Sequence, residues 1–142
     1  MRVPFEYAII RIVPNVDREE FVNAGVVLFC EAQGLLSATI ELDDRRLLAL
    51  CSTVDLGLLR EHLTGFESVC RGGHEAGPLA EMSLRERWRW LTAPRSTVLQ
   101  TSKAHGGVAE DLDAVVAEIR AASERFTDVA VALAGVTTVS RP

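Results

Sequence analysis

Arginines, hydroxyl side chains and a histidine crowd the stretch from Arg85 to His105: Arg85, Arg87, Arg89, Arg95, Ser96, Thr97, Gln100, Ser102, Lys103 and His105. Guanidinium forks hold an anionic group through charge-assisted, two-pronged hydrogen bonds, and hydroxyls complete its shell. Arg95, Ser96, Thr97 and His105 are therefore the candidate anion-binding residues, with a phosphate-bearing ligand as the chemistry they suit. Gly106-Gly107 is expected to turn the chain into a last helix, whose N-terminal amides would add to the same field. No GxxxxGK loop accompanies them, so a nucleotide has no fingerprint here. Ser96 and His105 could pair as nucleophile and base, but the glycine-flanked elbow that exposes such a serine is absent. His62, His74 and His105 share no ligand spacing, so neither a metal nor a cofactor is expected.

Two further groups stand out. Arg11 falls on the Phe5, Tyr7, Ile9, Val13 face of an apolar strand, where a guanidinium needs a partner. Glu20 or Asp17 could supply the carboxylate, and Asn23 could serve the adjoining loop, making Arg11, Glu20 and Asn23 a structural or site cluster. Trp90 lies about 200° from Trp88 on a helical wheel (about 100° per residue), off the core stripe. With Arg87 and Arg89 beside it, Trp90 matches the Trp and Arg enrichment of protein interfaces. These three are the candidate partner-binding residues.

Positioning these groups takes a sheet and several helices. Phe5–Val13 is apolar on both sides, as a central strand covered on both faces would be. Ala24–Cys30 and Leu35–Leu42 follow as a hairpin around Gln33-Gly34, and the polar alternation of the latter suits an edge. Asp43 or Asp44 caps a short helix over 45–51, and Leu56, Leu59, Leu63, Phe66 and Cys70 form the stripe of a helix over 55–70. Ser83 and Glu86 form a capping box for a helix over 84–92, which Pro94 ends. Ser96–Thr101 reads as a short strand, and the last helix spans about Ala109–Phe126. The fold class expected is α+β: a single, mostly antiparallel sheet of about four strands with helices packed against it.

The chain has 142 residues, 48% of them hydrophobic, with 15 Lys and Arg against 20 Asp and Glu for a net charge of −5. One domain over 1–126 is expected, with 127–142 a C-terminal tail that either adds a strand or trails loosely. The acidic balance argues against nucleic acid as the partner, since phosphate contacts need a basic surface. Cys30, Cys51 and Cys70 are odd in number and set in apolar contexts, which suits reduced, structural thiols. MRVPFEYAIIRIVP reads as a strand rather than a signal peptide, and no apolar run reaches membrane-spanning length. A cytoplasmic, membrane-free protein is expected.

The segments FEYAIIRIVPNVDREEFVNAGVVLFC and WRWLTAPRSTVLQTS resemble a bacterial family known as domain of unknown function 3037. The resemblance covers about residues 5–126. It is carried by Arg11, Glu20-Phe21-Val22-Asn23, Gly25-Val26-Val27, Pro94-Arg95-Ser96-Thr97 and His105-Gly106-Gly107. The chain departs after Thr101, where Lys103-Ala104 stands in place of a proline-containing stretch. Members are often encoded beside a HipA-like kinase, so the resemblance implies a two-gene, toxin–antitoxin-like system. It also directs attention to Arg95, Ser96, Thr97 and His105. The leading expectation is a non-catalytic partner or regulator of such a kinase. Its alternative is a small enzyme or sensor for a phosphorylated metabolite or nucleotide at the Arg95 cluster.

Overall fold

The computed structural model describes residues 2–121 and 137–140. Strand β1 (Val3–Ile12) lies inside the sheet, and its two apolar faces are the reason. Ala8, Ile10 and Ile12 enter one core, while Val3, Phe5 and Tyr7 enter another on the opposite face. Strand β2 (Val22–Cys30) pairs antiparallel with β1 and carries Val27 and Phe29 into the first core, Val26 and Leu28 into the second. Strand β3 (Leu35–Ile40) completes the expected hairpin and forms an edge. Gly34 turns it with a positive φ of 62°, a conformation open to glycine at no steric cost.

The first core is roofed by three helices. Helix α1 (Asp44–Leu50) is capped by Asp43, which accepts from the Arg46 amide. Helix α2 (Leu56–Arg71) is capped by Asp55 and buries Leu59, Leu63, Phe66 and Cys70 on the stripe that helical spacing predicts. The leucine and phenylalanine side chains each contribute roughly 1.5–3 kcal/mol on leaving water. Helix α3 (Leu84–Thr92) opens on the Ser83–Glu86 capping box and buries Trp88 and Leu91. The Trp88 ring stacks on Phe29 at 5.4 Å. Between α2 and α3, His74–Glu81 form two short 3-10 turns broken at Gly77, whose φ is 61°.

Strands β4 (Leu99–Thr101) and β5 (His105–Ala109) share the other edge of β1, followed by helix α4 (Leu112–Ala121) under the second core. Thr137–Ser140 form β6, antiparallel to β5 at the far edge. Among the described residues the sheet has six strands, with β3-β2-β1-β5-β6 along its main path and β4 beside β1. About four were expected. One of the two further strands is β6, from the tail expected either to add a strand or to trail, and the other is β5, where Gly106-Gly107, read as a turn into a helix, pair with Glu6 and Phe5. The helix begins instead at Leu112, with Asp111 accepting from the Asp113 amide. The expected helix end at Phe126 and the remainder of the 127–142 tail lie outside the described residues.

Burial pushes the Cys70 thiol up to about 12, and the buried Cys30 thiol donates to the Pro4 carbonyl. Both behave as small core residues. At Cys51 the Thr53 hydroxyl, as hydrogen-bond partner, lowers the pKa.

Gly25 sits in β2 at the register shift beside Ile10, opposite Ile40 of β3. A methyl group there would run into the backbone carbonyl oxygen of Thr39, which cannot swing aside as a side chain would. Gly25→Ala is expected to lower the free energy of unfolding by about 1–3 kcal/mol, the range for overpacking. Urea denaturation measures this, and an unchanged midpoint would show that β2 and β3 can separate at no cost.

Candidate functional site

The loop between α3 and β4 builds the site. Ala93 precedes proline and leaves the helical region, so α3 stops at Thr92 and exposes its last carbonyls. Arg95 turns back onto them. Its Nη2 donates to the Trp90 carbonyl and its Nη1 to the Leu91 carbonyl, while the guanidinium lies 4.4 Å from the centroid of the Trp90 ring. A cation at a helix C-terminus opposes the negative end of the macrodipole. Partial burial pulls the Arg95 pKa down from its ordinary value. An arginine nonetheless keeps its charge at any physiological pH. The loop is also tied to itself: the Thr97 hydroxyl donates to the Leu99 carbonyl and the Gln100 amide donates to the Thr97 carbonyl.

Two cavities adjoin at this loop and share Val16, Arg95 and Ser96. The smaller, about 280 Å³, is polar and is walled by Arg11, Glu19, Phe21, Arg95, Ser96 and Gln100. Arg11 lies with its guanidinium carbon 4.3 Å from the Phe21 ring centroid. Its Nε is buried and has no hydrogen-bond partner among the described residues. Two cations against one carboxylate leave this pocket net positive. The larger cavity, about 860 Å³, is a groove between α2 and the loop into β4, lined by Phe66, Val69, Leu79, Trp90, Val98 and Leu99, with Glu61 and His62 also on its wall.

The sequence-derived residues divide. Arg95, Ser96 and Thr97 all line the groove, and Arg95 and Ser96 also wall the polar pocket. His105 does not join them. It pairs with Tyr7 on β1 and stacks on that ring at 5.2 Å, within the layer of the second core. A hydrolytic Ser96–His105 pair therefore does not form, and Gly106-Gly107 presents no helix N-terminus to an anion. Ser102 is structural: its hydroxyl accepts from the Ile9 amide and donates to the Lys103 carbonyl.

The Arg11, Glu20, Asn23 cluster is rearranged. Glu20 pairs with Arg18 at 2.6 Å in solvent, and Arg11 takes the Phe21 ring instead. Asn23 lies beside Arg11 across the β1–β2 ladder, its Oδ1 buried without a partner among the described residues. Arg11 thus belongs with Arg95, an association that its separation of 84 positions hides. Phe21 and Gln100 complete the pocket. Phe21, a large apolar residue left 45% exposed, is the member that only its neighbours reveal.

Arg87, Arg89 and Trp90 point apart. Arg87 packs against Gly72 at the end of α2, and Arg89 is exposed near Glu31, whose pKa falls chiefly through its hydrogen bonds from Arg85. Trp90, 41% exposed, lines the groove. Among the described residues no group of three or more His, Cys, Asp and Glu side chains could hold a metal, and no helix is long and apolar enough to cross a membrane.

An antiparallel sheet with helices on both faces, and a polar pocket opening beside an apolar groove, defines an α+β protein with a built cavity. A family model described as protein of unknown function (DUF3037) matches residues 7–123, and the chain belongs to that family. Comparison with curated proteins and with solved structures gives no match.

Arg95→Ala removes both the carbonyl contacts and the stack on Trp90. It is expected to lower stability by about 1 kcal/mol, in line with a C-terminal cation and a half-exposed cation–π pair. Quenching of tryptophan fluorescence by iodide should rise with it, because Trp88 stays buried while Trp90 loses its cover. Unchanged quenching would mean that Arg95 does not shield the ring.

Proposed function

We propose that the protein is a non-catalytic ligand-binding protein that holds an anionic group at the wall formed by Arg11, Arg95 and Ser96. The observation that carries this reading is the convergence of two guanidinium groups from distant parts of the chain on one small polar pocket, with Arg11 Nε buried and unpartnered among the described residues. A buried donor without a partner is costly, and the two guanidinium groups on this wall offer an oxyanion charge-assisted hydrogen bonds. Phosphate esters and carboxylates both present such oxygens. Glu19 on the same pocket limits the charge that can enter, favouring one anionic group over a polyphosphate.

A ligand bound by the folded state alone stabilises it by RT ln(1 + [L]/Kd), about 1.4 kcal/mol at tenfold over Kd. Inorganic phosphate and sulfate should therefore raise the melting temperature. Arg11→Gln should remove the rise while the ligand-free protein unfolds within about 1 kcal/mol of wild type, the loss of one half-exposed cation–π contact. A rise that survives the substitution would mean another site, and no rise with either anion would end this reading.

A second reading, association with a HipA-like kinase, draws on the family resemblance and on Trp90, a large aromatic side chain left 41% exposed. Truncating such an anchor at an interface costs about 2 kcal/mol or more, a roughly thirtyfold loss of affinity. Trp90→Ala should weaken the complex by that factor and Arg89→Ala by much less. Gel filtration of co-expressed proteins checks it, and two separate peaks for the wild-type pair would reject the association.

A further inference from the structure

The groove adds a second demand on the ligand, and with the anion site taken as read, four features describe what fills it. The first is its lining: Phe66, Val69, Leu79, Val98 and Leu99 offer apolar surface over a volume of about 860 Å³, within the range of small-molecule sites. The second is that three of its hydroxyl donors, away from Ser96, are spent. Thr64 donates to the Arg60 carbonyl at 2.9 Å, Ser68 to the Thr64 carbonyl at 3.1 Å and Thr97 to the Leu99 carbonyl at 3.0 Å. Away from Glu61, His62, Arg95 and Ser96, a nucleobase or sugar would meet few polar partners on this lining, and each unmet group weakens binding. An apolar body loses nothing there.

The third feature is Gly65. It lies in the middle of α2, where glycine is less favourable than alanine by roughly 0.5–1 kcal/mol. A Cβ at Gly65 would meet no heavy atom within 4 Å, so packing against the protein does not require glycine. Gly65 is exposed and lines the groove, so a large side chain there would narrow it. The fourth is polarity along the cavity. Arg95 stands at the wall that the groove shares with the polar pocket, next to Ser96 and backed by Arg11, and Glu61 is also on the groove's lining. The attraction for an anion is therefore at the shared wall.

We infer that the ligand is an amphipathic anion, a monoalkyl or monoaryl phosphate or carboxylate. Its head sits at the Arg95–Ser96 wall and its acyl or aryl body lies along α2 over Gly65. The inference rests on the anion site proposed above and adds the body of the molecule. The phosphate and the carboxylate are alternative heads on one body, which paired probes separate.

Calorimetric titration of the purified full chain tests it with butyl, hexyl and octyl phosphate, octanoate, octanol, adenosine monophosphate and inorganic phosphate, all below micelle-forming concentrations. Affinity should rise along the alkyl phosphates by up to about fourfold per methylene, the transfer value for buried apolar surface. Octyl phosphate and octanoate, ranked against each other, identify the head. Octanol should bind at least tenfold more weakly than the better of the two. Gly65→Leu should lose at least tenfold in octyl phosphate affinity, keep the response to inorganic phosphate, and melt at or above the wild-type temperature. That last measurement separates a filled groove from a damaged fold. Affinity that is flat with chain length, with inorganic phosphate still binding, would overturn the amphipathic ligand and spare the anion site. Octanol binding as tightly as octyl phosphate would overturn the anionic head of the groove ligand, and a lack of response to inorganic phosphate as well would remove the anion site. Adenosine monophosphate binding more tightly than octyl phosphate, or wild-type octyl phosphate affinity in Gly65→Leu, would overturn the assignment of the groove.

Discussion

Strand β1 has to satisfy both of its edges and both of its faces at once, and the remainder of the molecule follows from how that is done. One edge is taken by β2. The other is divided between β4 at Ile10–Ile12 and β5 at Val3–Tyr7, leaving a break near Ile9. Ser102 closes it: its hydroxyl accepts from the Ile9 amide at 2.8 Å and its amide donates to the Ile9 carbonyl at 2.8 Å. A buried amide left unpaired costs free energy comparable to a lost hydrogen bond. This side chain therefore lets one edge be shared by two short strands. Sharing the edge matters for the site, because it brings the chain segment ahead of β4, with Arg95 and Ser96, to the end of β1 where Arg11 stands.

The same economy governs α3. Its last carbonyls need partners because the proline after Ala93 stops the helix, and Arg95 supplies them. In doing so the guanidinium covers one face of Trp90 and forms part of two cavity walls. Helix end, ring, pocket and groove are thus coupled through one side chain. Arg85, by contrast, pairs with Glu31 at the surface, 2.5 Å between Nη2 and Oε2, where water screens the attraction. Two arginines of one cluster do different work because one is sheltered and the other is not.

Glycine is used in two opposite ways. At Gly25 the backbone of β3 comes so close that no side chain fits, and the residue is a packing necessity. At Gly65 nothing comes close, and the small residue preserves open volume at the expense of helix propensity. The contrast explains why glycine in a regular element can mark either a contact or a cavity.

Local chemistry was enough to read most of the elements from the chain. The doubly apolar pattern of Phe5–Val13, the Gln33-Gly34 turn, the α2 stripe and the Ser83–Glu86 box depend on neighbours within a few residues, and each stands where spacing and capping rules put it. The tertiary structure alone decided which distant groups meet. It joined Arg11 to Arg95 and Ser96, sent His105 to Tyr7, gave Glu20 to Arg18, and drew Gly106-Gly107 into β5 against β1. Sequence rules assign Gly-Gly to a turn because the dipeptide is locally permissive, but an unpaired edge of a central strand needs hydrogen bonds more than it needs side chains. Residue type could name the chemistry of an arginine, while its partner was fixed by strand order, which no local pattern encodes.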